Sequence, residues 1–160
     1  MKNKQIPVKA RVALAAGNLH EANTLLKKHY SICGVVIQGQ KVGRVLGFPT
    51  ANLKLKDHSP LFLANGVYAV KIFQNKTFYD GMANIGIRPT LEQHVLTVEV
   101  NLFNFSGDLY GKTLQVFFID RLRDEKKFSD LEGLRNQITL DKLNAEKILV
   151  AWNNFDPNTK

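Results

Sequence analysis

Leu96-Thr97-Val98-Glu99-Val100-Asn101-Leu102 alternates apolar and polar side chains without a break. Successive side chains of a strand point to opposite faces, so Leu96, Val98, Val100 and Leu102 share a core face while Thr97, Glu99 and Asn101 share the other. The strand extends over His94 to Phe103. Outward from it, Ile32 to Ile37, Thr50 to Leu55, Gly66 to Phe73, Phe78 to Ile85 and Thr113 to Leu122 have the same short, β-branched character. Gln74-Asn75-Lys76 turns one hairpin and Ser106-Gly107-Asp108 joins the last two strands. Six short strands with frequent turn signals predict an antiparallel sandwich or barrel. On periodicity alone Glu99 is an ordinary solvated glutamate.

The flanks read as helices. Ala10 to Ala16 is a short helix stopped by Gly17 after a leader of residues 1–8. Asn18 and Glu21 have capping-box spacing ahead of an apolar stripe of Leu19, Ala22, Leu25 and Leu26. Ser129 and Glu132 repeat that spacing before two helical segments that run to about Trp152, the second starting at Asp141. Asn153 to Lys160 reads as a frayed tail.

With 160 residues, 44% of them hydrophobic, the chain predicts one domain with a core. It has no apolar run near the roughly 18 residues of a membrane span, and Arg11 interrupts the signal-like N-terminal patch. Its one cysteine, Cys33, excludes an internal disulfide and reads as a buried structural thiol, which fits the cytoplasm. His20, His29, His58 and His94 have no metal-ligand spacing, and no serine sits in a nucleophile elbow. The net charge is +8. Residues 1–30 hold six basic groups against Glu21 alone, and residues 31–160 hold sixteen against thirteen acids. The body is therefore nearly balanced, which argues against a nucleic-acid groove.

The chemistry-bearing stretch is Gly39 to Asn52. Its glycines suit either a plain hairpin or a backbone cradle for phosphates. Thr50 and Asn52 point to one side of an extended segment and offer a hydroxyl and an amide oxygen to a hard cation such as magnesium. It is neither the common phosphate loop nor a protein-kinase signature. Leu122-Arg123-Asp124-Glu125-Lys126-Lys127-Phe128 is a charged loop ending on an aromatic, which is either a staple for the next helix or a lid over a planar ligand. Its default reading is a surface connection.

Gly43-Arg44-Val45-Leu46-Gly47-Phe48-Pro49-Thr50-Ala51-Asn52, Gly66-Val67-Tyr68, Asn84-Ile85-Gly86, Val98-Glu99-Val100, Asp108-Leu109-Tyr110-Gly111 and Leu122-Arg123-Asp124-Glu125 occur in that order. Phe128 to Leu131, Gln137-Ile138 and Asp141 continue the series. Together they resemble the riboflavin kinase family, in particular the kinase module of bacterial bifunctional riboflavin kinase/FAD synthetases, over roughly Tyr30 to Ile148. The resemblance implies a mainly β fold, a closed six-stranded antiparallel barrel with C-terminal helices. Residues 30–155 would form this domain, and residues 1–29 a basic leader and connecting helical segment. It implies transfer of the ATP γ-phosphoryl group to riboflavin, giving FMN. Glu99 would be the catalytic base and Thr50 and Asn52 would serve magnesium. Gly39, Gly43, Arg44, Thr50, Leu102, Asn104 and Tyr110 fall at ATP-contacting positions, and Asn84, Arg123, Lys126 and Phe128 at flavin-contacting ones.

Two departures stand out. Asn101 occupies a position where bacterial members often have histidine; asparagine can hydrogen-bond there but carries no proton at neutral pH. The His-x-Gly-His motif of the adenylyltransferase domain is missing, so the chain reads as the kinase half, with such a domain or a separate FAD synthetase as the expected partner. A flavin-binding module without turnover would need neither a metal pair nor a base, and a nucleic-acid barrel would need a basic, aromatic face. The purified chain should form no FAD from FMN, ATP and magnesium; chromatographic detection of FAD would overturn that expectation.

Overall fold

A computed structural model describes residues 6–39, 42–56, 61–89 and 94–155. Two short helices, α1 (Val8–Ala15) and α2 (Leu19–Leu26), lead into β1 (Ser31–Ile37). The glycine-rich stretch forms a helical turn, α3 (Val42–Val45), not a hairpin. Then come β2 (Ala51–Leu55), β3 (Gly66–Gln74), β4 (Thr77–Pro89), β5 (His94–Leu102), β6 (Thr113–Arg123) and one long helix, α4 (Leu131–Phe155). The strands close into a barrel in the order β1-β2-β5-β4-β3-β6, with every neighbour antiparallel.

Alternation fills the barrel. Val98 and Val100 from β5 meet Tyr68, Val70 and Ile72 from β3 and Val116 and Phe118 from β6 in one buried cluster. Tyr68 and Phe118 meet edge to face with centroids 5.3 Å apart. Burial pushes the Tyr68 phenol above its ordinary value, against the pull of Arg121, so its hydroxyl stays a donor to the Ala64 carbonyl. Leu96 departs from its expected core place and is 42% exposed, because it lies beyond the filled length of the barrel.

A second core lies outside the barrel. α4 packs Ala145 and Leu149 against Ala69, Met82 and Phe103. This makes most of β3 buried on both faces, including Lys71, whose ammonium pairs with Asp80 and donates to Asn153. Asn153 thus belongs to the helix and not to a frayed tail. Among the described residues nothing covers the outer face of β1 in this way, and Cys33 is exposed, not a core thiol.

The helix starts differ from expectation for local reasons. α4 is continuous through Asp141, whose carboxylate is buried against Arg123 and does not cap a second helix. Its cap is Asp130, which accepts the Gly133 N–H at 2.7 Å, and not Ser129. Asn18 makes no side-chain cap on α2 and instead reaches Glu21 at 3.5 Å. Among the described residues no helix is long and apolar enough to cross a membrane. His58 lies outside the described residues.

Asn75 and Lys76 turn the β3–β4 hairpin with φ of 48° and 64°. Both central positions are left-handed, where a lysine is strained and a glycine is not. Lys76→Gly should therefore raise stability by about 1 kcal/mol, measured by urea unfolding; a neutral or negative change would refute this reading of the turn.

Candidate active site

The strand register lines up most of the candidate residues in one layer. Asn52 pairs with Glu99, Glu99 with Asn84, Asn84 with Val67, and Val67 with Arg123. Opposed residues share a face, so five strand positions from β2 to β6 stand side by side on the outer surface. α3 on one side, and the segment 123–128 with the start of α4 on the other, enclose a cleft of about 220 Å³ above this row. Leu46, Phe48, Leu134 and Ile138 give it apolar walls, and Thr50, Asn84, Glu99 and Asn101 supply polar groups. A concave, mostly apolar site with a few polar groups is the usual form of a small-molecule pocket.

Glu99 is gripped on both oxygens. Oε1 accepts from Arg88 Nη2 at 3.0 Å and Oε2 from Thr50 Oγ1 at 3.4 Å, with the side chain 25% exposed. Arg88 pairs in register with Val95, so its side chain runs past the Gly86–Thr97 rung to reach Glu99. Gly86 also receives Glu125, since a Cβ there would lie 2.3 Å from Glu125 Oε1. Any side chain at this position would crowd the Glu125 carboxylate.

Asn52 sits beside Gly39, where an added Cβ would lie 2.0 Å from Asn52 Nδ2. The bare glycine is what leaves room for the amide. Thr50 and Asn52 thus flank Glu99 with oxygen atoms of the hard type. Among the described residues no three His, Cys, Asp or Glu gather as a metal cage. These donors fit magnesium, which keeps few protein ligands and shares phosphate oxygens, better than a metal needing a full protein shell.

The opposite wall is built on an ion pair. Arg123 Nε and Nη2 contact both Asp141 oxygens at 2.7–3.0 Å, and Nη1 donates to the Asp124 carbonyl at 2.8 Å. Gln137 donates to Asp141 at 2.9 Å and lies 3.5 Å from the Lys126 ammonium. Phe128 lines the cleft and lies over the first turn of α4, 3.8 Å from where a Gly133 Cβ would stand. It therefore serves both as wall and as packing for the helix start.

Glu99, Thr50, Asn84, Gly43, Arg123, Lys126 and Phe128 all border the one cleft. Gly39, Asn52, Leu102, Asn104 and Tyr110 do not. They gather at the rim where β1 and β5 end and β2 and β6 begin, with Gly111 N–H bonded to the Val36 carbonyl. Leu102 points into the core, Asn104 and Tyr110 are exposed, and Arg44 is exposed on α3. Sequence reasoning missed the Arg88 partner of Glu99 and the contacts of Asp141 and Asn101. No local pattern marks a pair such as Arg123 and Asp141, which are 18 residues apart.

The Flavokinase (riboflavin kinase) family model matches residues 26–149. The chain belongs to the riboflavin kinase family. Among curated relatives it is 42% identical over 138 residues to the bifunctional riboflavin kinase/FMN adenylyltransferase of Bacillus subtilis, covering 84% of this chain and 43% of that protein. The Haemophilus influenzae protein of the same description is 43% identical over 132 residues, covering 82% and 42%. This member of the family thus spans less than half the length of these relatives. Of solved structures, a Streptococcus pneumoniae protein described as a macrolide-efflux protein superposes with TM-score 0.82 at 35% identity, covering 91% of this chain and 48% of that one. Riboflavin kinase from Trypanosoma brucei superposes with TM-score 0.53 at 25% identity, covering 74% and 76%.

Removing one partner of a buried pair strands the other charge. Asp141→Ala should destabilise this family member by about 3–5 kcal/mol, read as a lower urea midpoint; a shift under about 1 kcal/mol would show that the pair contributes no more than a surface one.

Proposed function

We propose that the chain catalyses transfer of the ATP γ-phosphoryl group to the ribityl 5′-hydroxyl of riboflavin, giving FMN and ADP. The observation that carries this is Glu99, held at the floor of the cleft beside Asn84, between the Thr50/Asn52 oxygens and a wall containing Lys126 and Phe128. Phe128 stacks on the flavin ring and Lys126 meets its polar edge. The ribityl chain then runs down to Glu99. Gly39, Arg44, Asn104 and Tyr110 receive ATP at the barrel rim, Leu102 underlies them from the core, and Gly43 and Thr50 link rim and cleft.

Glu99 accepts the 5′-hydroxyl proton as that oxygen bonds to the γ-phosphorus and the bond to the β-bridging oxygen breaks, releasing ADP. Bound magnesium would neutralise charge on the β- and γ-phosphate oxygens, and Thr50 Oγ1 and Asn52 Oδ1 would hold it. Arg123, tied to Asp141, keeps the flavin wall in place. ATP use suits the cytoplasm, and the FMN product suits an adenylyltransferase of the kind named in the curated relatives.

The test is FMN formation from riboflavin, ATP and magnesium, followed by chromatography with an EDTA control. Glu99→Gln should bind riboflavin as the wild type does while kcat falls about 10²–10⁴-fold. Near-normal turnover in that variant would remove Glu99 from the mechanism. Riboflavin binding with no FMN from the wild type would leave a binding module.

A further inference from the structure

Asn101, which stands where bacterial members of the family often have histidine, is a buried amide. It stands two residues beyond Glu99 on β5, on the same outer face, and is 6% exposed. Its Nδ2 donates to the Pro49 carbonyl at 2.6 Å. The ladder between β2 and β5 ends with Ala51 opposite Val100 and Asn52 opposite Glu99. Pro49 lies past the end of that ladder and has no N–H to extend it. The side chain of Asn101 takes over where main-chain pairing stops.

What it anchors is the exit of the glycine-rich turn. That turn is closed on itself, with Phe48 N–H bonded to the Gly43 carbonyl at 2.7 Å and Gly47 N–H to Arg44 at 3.2 Å. Thr50 follows directly, with its hydroxyl aimed at Glu99. The placement of Thr50 relative to Glu99 and Asn52 therefore depends on the bond from Asn101. Pro49 itself is exposed, so burial does not seat it; without this bond its carbonyl would be free to swing, and Thr50 with it.

We infer that Asn101, which borders the cleft but is 6% exposed with its amide donor committed to Pro49, is a positioning residue for the nucleotide–metal site, acting through the Pro49 carbonyl to fix Thr50. This rests on the kinase reading and assigns part of the site's geometry to a residue whose side-chain donor, not its proton, matters. A residue that merely filled the core would support riboflavin and nucleotide binding equally. The anchor predicts a split between the two.

The test measures the two ligands separately, with Mn²⁺–ADP binding followed by the electron paramagnetic resonance signal of free manganese and riboflavin binding by flavin fluorescence. Asn101→Leu removes the donor, and Asn101→Asp keeps the shape but sets an acceptor against the carbonyl, so one covers a failure of the other to fold. Each should weaken Mn²⁺–ADP about 10- to 100-fold and riboflavin, whose cleft Asn101 only borders, far less. Asn101→His, which offers a ring N–H at similar reach, should restore the metal–nucleotide affinity. Wild-type Mn²⁺–ADP affinity in a folded Leu or Asp variant, equal loss of both ligands, or no recovery with His would each overturn the inference and leave the kinase reading standing. A wild-type chain that binds neither ligand would overturn both.

Discussion

Closure of the sheet is the constraint on which everything else depends. A strand sheet with free edges can slide by two residues and still bury the same alternate side chains. Here β1 pairs with both β2 and β6, and the circuit has no edge to slip along. A shift in any one strand would have to be absorbed all the way round. The layer that sets Asn52, Glu99 and Asn84 abreast is therefore fixed by the barrel as a whole.

The barrel alone makes only a floor. Its outer surface becomes a cleft because α4 lies across β3 and β4 and because the chain between β6 and α4 is pinned at Arg123. Asp141 is the receiving point of that pin, four residues along the helix from Gln137. A buried charge pair is a poor source of net stability but a strong specifier of geometry, since neither partner tolerates being left alone. That suits a wall whose task is to stand at a set distance from Glu99.

The sequence was readable where period-two patterning had a single cause. Val98, Val100 and Leu102 face a core because the barrel interior demands it; the other five strands were legible from short β-branched runs between turn signals. It was unreadable where outer faces differ in cover. Nothing in Ile32 to Ile37 says that Cys33 faces solvent, whereas Lys71 on β3 is buried under α4. Local capping signals misled for a related reason. Ser129 and Asn18 have the right spacing, but Asp130 takes the donor in one case and no side chain does in the other. Asp141 looked like a helix start because its real partner comes from β6. The approach of Thr50 and Asn52 to Glu99 followed from strand alternation and family likeness together. The reach of Arg88 over Gly86 and the bond from Asn101 to Pro49 depend on register and turn geometry, which no spacing in the sequence expresses.

The helices that precede the barrel and the last turn of α4 meet. Trp152 Nε1 donates to His29 at 2.9 Å, and Asn23 bonds both to the Tyr30 N–H and to the Phe118 carbonyl. Both junctions lie where β1 begins, the end of the barrel opposite the rim where β1 stops. In mechanical terms, a load applied along the chain at either junction would be shared between the His29–Trp152 clasp and the β1–β6 seam. Through Ile37, which pairs with Asn52, the same seam also runs on to the candidate site.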